Sequence, residues 1–178
     1  DGHETHQQLP CLAKIRLILS PVKYFELEIR MPSLLIFLAM VAATALVGVQ
    51  FGPGPWYLAL HKPSWTPPSW IFGPVWSVLY VAIAVAGWLV WRSKAVSVTK
   101  PILLWLLQLI LNGLWSWLFF GLHRPGLALV DILGLLATIG FFIASAANIS
   151  RVAAWLFVPY ALWVGFATAL NFAIWQLN

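Results

Sequence analysis

Acidic side chains are almost missing from this sequence. From Met31 to Asn178 Asp131 stands alone against Lys62, Arg92, Lys94, Lys100, Arg124 and Arg151, and this stretch carries the whole net charge of +5. Charged residues of both signs make up 8% of the chain, where a soluble domain carries roughly a quarter. A chain that is 62% hydrophobic cannot cover a globule with polar surface, so its solvent must be lipid. The bases lie singly or in small groups between apolar runs, which reads as membrane topology and not as a nucleic-acid footprint. Cysteine is scarce too. Cys11 alone excludes an intramolecular disulfide and any cysteine-based metal cluster. There is no nucleophile elbow, no glycine loop of the phosphate-cradling kind and no metal-ligand spacing.

The first 30 residues read differently from the rest. They hold four acids and four bases, and their longest apolar run, Leu17 to Leu19, is too short for a signal-peptide core. Translated upstream sequence, a tag-like extension and a short amphipathic arm on the membrane are the three readings. The first two are preferred, which leaves 31–178 as the folded domain.

What is present is a set of five long apolar runs, at about 33–51, 71–91, 102–122, 127–147 and 152–177. Each approaches or exceeds the roughly 20 residues a helix needs to cross a bilayer. The runs lack the alternation of barrel strands. The expected fold is an all-α integral membrane protein, a five-transmembrane-helix bundle. Arg30, Arg92, Lys94, Lys100 and Arg151 fall on one side and Lys62 and Arg124 on the other. The positive-inside rule therefore predicts a cytoplasmic amino terminus.

Within the runs, polar and aromatic residues recur at helical spacing. The second holds Trp76, Tyr80, Gly87 and Trp91; the third Gln108, Asn112, Trp115 and Phe119; the fourth Asp131, Gly134, Thr138 and Ser145; the fifth Tyr160, Trp163, Ala167 and Asn171. Such groups can glue helices together, or they can line a largely apolar pocket with a few orienting hydrogen bonds. Spacing alone leaves both open. Trp91, Trp155 and Trp175 read as interfacial anchors. Asp131, early in its helix, is expected to serve structure, with Arg124 available as a partner. His61, Lys62, His123 and Arg124 fall on one face. Axial ligation of haem by the two histidines is a minor reading, because isolated loop histidines are usually solvated.

The runs WYLALHKPSWTPPSWIFGPVWSVLY, LNGLWSWLFFG, ALVDI and PYALWVGFATALNFAIW together resemble the TspO/MBR family, the tryptophan-rich sensory and translocator proteins also known as peripheral-type benzodiazepine receptors. The resemblance spans Met31 to Asn178. The absence of a long tail after the fifth run is closer to bacterial members. The resemblance implies a five-helix bundle, often a homodimer, that binds porphyrins and other flat hydrophobic ligands beneath the first loop. By position it implies pocket roles for Tyr57, Trp76, Tyr80, Asn112, Trp115, Trp163 and Ala167. Trp76 and Trp163 match a tryptophan pair linked in some bacterial members to light-dependent porphyrin breakdown, which makes them the candidate catalytic residues. The cholesterol-recognition pattern of animal members is broken here, with Phe172 in the Tyr place and Gln176 in the basic place, so sterol binding is doubtful.

The leading expectation is a membrane receptor or sensor for tetrapyrroles, with no required cofactor and no metal, and protoporphyrin IX or haem as ligand. Gln108, Phe119 and Asn171 join the pocket residues as binding candidates. His61, Lys62, His123 and Arg124 are candidates for meeting propionates at its mouth. A porphyrin transporter and a light-dependent porphyrin-degrading enzyme are the alternatives. The bacterial cell membrane is the expected location, with the outer membrane as the other option.

Overall fold

The computed structural model describes residues 21–178 apart from 94 and 96, and of 21–32 only the helical backbone. The expectation for the amino-terminal extension therefore lies, for residues 1–20, outside the described residues. Six α-helices are seen among the described residues: α1 (Pro21–Gln50), α2 (Pro55–Ala59), α3 (Phe72–Trp91), α4 (Thr99–Ser116), α5 (Pro125–Ala147) and α6 (Arg151–Leu177). Five are long and apolar enough to span a membrane, all but α2. No strand occurs among the described residues. The all-α membrane bundle expected from the sequence is the fold observed.

Boundaries follow local chemistry. Helix α1 starts at Pro21, upstream of the expected start near residue 33, and Pro is well suited to a first helical position. Proline also opens α2 and α5. Ser150 caps α6, its hydroxyl oxygen accepting from the Ala153 N–H at 3.3 Å, a bond that relieves one of the four unpaired donors of the first turn. Helix α4 ends in a π turn, Trp117–Gly121. The widened loop is closed by Leu122 N–H donating to the Trp117 carbonyl at 2.8 Å. His123 then takes a left-handed conformation, φ 56°, which is costly for a residue with a Cβ.

The compact unit is Leu34–Asn178. Within it α3, α6, α5 and α4 are neighbours in that order, and α3 closes back on α4. Their shared core is built on Ile83, Ala86, Trp105, Ile139, Phe142, Phe157 and Tyr160, all fully buried. The Trp105 indole donates across the bundle to the Ile83 carbonyl at 2.8 Å. Gly87 lets that ring approach, because a Cβ there would stand 2.5 Å from it. Phe37 of α1 meets the same ring edge-on at 4.8 Å. Only 17% to 33% of each spanning window is buried inside the protein. The rest presents residues such as Leu35, Val78, Ile110, Val130 and Leu162 outward, which is stable only against lipid.

Candidate functional site

A cavity of about 740 Å³ opens between α1, α3, α4, α5 and α6, under the segment that joins α1 to α3. The segment contributes Gly52, Pro53, Tyr57, Leu58, Lys62, Thr66, Pro67 and Ser69. Prolines 63, 67, 68 and 74 fix φ at successive points, and a short 3₁₀ turn at Ser69–Ile71 leads into α3. The cover is tied at its other end. Asn178 Nδ2 donates to the His61 carbonyl and His61 N–H donates to Asn178 Oδ1, both at 3.0 Å.

Aromatic rings make the walls. Phe72, Trp76 and Tyr80 come from α3, Trp115 from α4, Phe120 from the π turn and Trp163 from α6. Trp76 lies 5.1 Å from Tyr80, and Phe72 meets Trp163 edge-on at 5.6 Å. Ala45 and Gly48 of α1 and Ala167 of α6 keep the remaining walls thin. Among the described residues, Lys62 is the one charged side chain lining the cavity. Its ammonium lies 4.8 Å from the Tyr57 ring centre and donates to the carbonyls of Leu58 and Leu60 at 3.3 and 3.0 Å. An ammonium has three donors, so one N–H stays available to a ligand anion. Burial pushes the Tyr57 phenol up, which keeps it a neutral hydroxyl at physiological pH.

The profile of the TspO/MBR family matches residues 33–176, which is every spanning helix and the cover between the first two. This chain belongs to the TspO/MBR family. It is 39% identical to the tryptophan-rich protein TspO of Chlorobaculum tepidum over 82% of this chain and 96% of that one. It is 39% identical to the human translocator protein over 74% and 82% of the two chains. Protein CrtK of Rhodobacter capsulatus is 34% identical over 80% and 91%. As a member of this family with five apolar helices, the chain is an integral multi-pass membrane protein.

For this TspO/MBR chain the cavity separates the candidates drawn from the sequence. Tyr57, Lys62, Trp76, Tyr80, Asn112, Trp115, Trp163 and Ala167 line it. Gln108, Phe119 and Asn171 do not; each is at most 2% exposed and packs behind the wall. Gln108 bonds to Tyr160, and Phe119 stacks on Trp115 at 5.2 Å. Asn171 accepts from the Trp115 indole at 3.0 Å and donates to the Pro125 carbonyl at 2.8 Å. Polar and aromatic stripes report inward direction, and a residue one helical turn along can face a neighbouring helix instead of the cavity.

The basic face also divides. His61 is exposed and spends its backbone on Asn178, while the His123 ring stacks on Trp56 at 4.3 Å. Neither histidine lines the cavity, so the two do not bracket a ligand there. Arg124 is exposed and stands at the N-cap position of α5 without a side-chain capping bond, and it does not pair with Asp131. That carboxylate is 9% exposed, and its Oδ2 has no hydrogen-bond partner among the described residues. None of the α5 stripe residues Asp131, Gly134, Thr138 and Ser145 lines the cavity; α5 reaches it through Ile132 and Leu135, which the stripe did not include. Thr138 and Ser145, expected inward, return their hydroxyls to carbonyls of their own helix at 2.8 Å. The sequence reading missed Phe72, Thr66, Ser69, Gly48 and Ser116 on the wall. Phe72 lies one turn before Trp76 on the same helix, a spacing that was available as a signal.

Proposed function

We propose that this chain is a membrane receptor or sensor that holds porphyrins and similar flat hydrophobic ligands in the covered cavity. The observation that carries the reading is an apolar, ring-walled space in which, among the described residues, Lys62 is the single cation under the cover. Aromatic faces suit a planar macrocycle, and the free N–H of the ammonium suits one propionate. Protoporphyrin IX is expected to quench tryptophan fluorescence saturably in the purified protein. Trp76→Phe combined with Trp163→Phe should weaken that binding about tenfold. Unchanged affinity in the double variant would mean the ligand sits elsewhere.

Light-dependent oxidation of the bound porphyrin is the second reading, favoured by the placement of both Trp76 and Trp163 on the cavity wall. It predicts product in light that disappears in Trp163→Phe while binding persists. No required cofactor and no cholesterol role form part of the reading; Phe172 points outward and Gln176 is exposed.

The amino terminus is assigned to the cytoplasmic side of a bacterial cell membrane, on the charge balance of the connecting segments. The same reading includes a homodimer. Gly134 and Gly165 have open space where a Cβ would stand, which allows close helix approach. A carboxyl-terminal reporter should respond outside the cytoplasm, and light scattering on detergent-solubilised protein should give twice the chain mass. A cytoplasmic reporter or a monomer mass contradicts the respective assignment.

A further inference from the structure

The polar groups at the inner end of the cavity form one chain of hydrogen bonds. The Tyr80 hydroxyl donates to Asn112 Oδ1 at 3.2 Å, and Asn112 Nδ2 donates to the Tyr160 hydroxyl at 3.0 Å. The Tyr160 hydroxyl donates to Gln108 Oε1 at 3.0 Å, and Gln108 Nε2 donates to the Trp105 carbonyl at 3.0 Å. Every donor points the same way, from α3 inward.

The far end sets that direction. A backbone carbonyl can only accept, so Gln108 must turn its NH₂ toward Trp105 and its oxygen toward Tyr160. Tyr160 must then donate to Gln108 and accept from Asn112. Asn112 in turn offers its oxygen to Tyr80, and Tyr80 is left as a donor. A single carbonyl behind the wall thus removes the usual ambiguity of two side-chain amides and two hydroxyls.

The consequence appears at the cavity surface, where Tyr80 and Asn112 both lie. Tyr80 has committed its proton, so toward a ligand its oxygen only accepts. Asn112 has committed one N–H to Tyr160 and retains a second. Neighbouring side chains therefore present one acceptor and one donor.

We propose that Gln108 and Tyr160, which do not line the cavity, are positioning residues that set the hydrogen-bond polarity of its inner wall. That wall selects flat ligands carrying an N–H beside a C=O, as in a lactam or secondary amide edge. The inference rests on the reading of the cavity as a ligand site. A ligand without the N–H leaves Tyr80 unmatched, and reversing Tyr80 would unpair the Asn112 oxygen in a buried position.

Phenanthridin-6(5H)-one and its N-methyl derivative, titrated by calorimetry into the detergent-solubilised full chain, form the test. The wild type is expected to favour the N–H lactam by about tenfold or more. Gln108→Leu and Tyr160→Phe free the chain to reverse, and each should bring the ratio below about threefold. Neither change removes an atom from the cavity wall, so a purely structural role leaves the ratio where it was. Should Gln108→Leu fail to fold, Tyr160→Phe carries the comparison with nearly unchanged volume.

Ultraviolet resonance Raman of the ligand-free protein, as the difference against Tyr80→Phe, gives a second readout. The tyrosine doublet should report Tyr80 as a donor in the wild type and as mixed in Gln108→Leu. An unchanged lactam ratio in both variants, or a Tyr80 that does not donate, overturns the inference. Porphyrin quenching without lactam preference in the wild type also overturns it, and leaves the receptor reading standing. Lactam preference without porphyrin quenching supports the inference and removes porphyrin as the ligand.

Discussion

Gly87→Ala is expected to destabilise the bundle by about 3 kcal/mol, near the upper end for overpacking a core. The added Cβ would stand 2.5 Å from Trp105 Cε2 and Nε1 and 2.9 Å from Phe37 Cδ1. A flexible side chain could give way; this ring cannot do so cheaply. It is fully buried, its Nε1 is bonded to the Ile83 carbonyl, and Phe37 holds its edge. Any shift breaks the bond or opens the seam between α3 and α4. Gly140→Ala is the matched control, because nothing lies within 4 Å of its added Cβ. That substitution should stabilise by up to about 1 kcal/mol through helix propensity alone. Unfolding midpoints in a detergent titration measure both. Equal midpoints for Gly87→Ala and wild type would show that Trp105 does not press on α3.

Asn171→Leu should lower stability by about 2 kcal/mol, and it should also weaken porphyrin binding although Asn171 does not line the cavity. Its amide joins three helices, accepting from Trp115 of α4 and donating to Pro125 of α5. Leucine keeps the volume approximately and removes both bonds. The Trp115 N–H is then buried without a partner, and the indole is free to leave its place on the wall. Stability is read from the same titration, and binding from fluorescence quenching. Lost stability with unchanged binding would mean that Phe119, stacked on the ring, is enough to hold it.

Asn171 also shows how far a sequence reading reaches. Its place on the stripe with Tyr160, Trp163 and Ala167 correctly says that it points inward. Yet Trp163 and Ala167 reach the cavity, while Asn171 and Tyr160 meet protein. The α4 stripe divides the same way, with Asn112 and Trp115 on the wall and Gln108 and Phe119 behind it. Helical spacing fixes the angle of a side chain about its own axis to within a broad stripe. It carries no information on how far the neighbouring helix stands at that height. Thr138 does point inward, at 6% exposed, and Ser145 is half-buried, yet both hydroxyls bond within their own helix; a hydroxyl that satisfies itself on the preceding turn need not line a cavity.

By itself the sequence determined the solvent, the five spans and the family. Charge scarcity and run length follow directly from the cost of polar groups in hydrocarbon, and the tryptophan and proline motifs are specific enough to recognise. It also singled out Tyr57, Trp76, Tyr80, Trp115 and Trp163 under the cover, though not Phe72 and Phe120 beside them. Only the tertiary structure decided which of the inward residues touch the cavity and which hold those that do. Only it showed Gly87 as the place where Trp105 needs room, and the Trp105 carbonyl as the group that orients Gln108, Tyr160, Asn112 and Tyr80. These are distances between helices far apart in the chain, and no local periodicity encodes them.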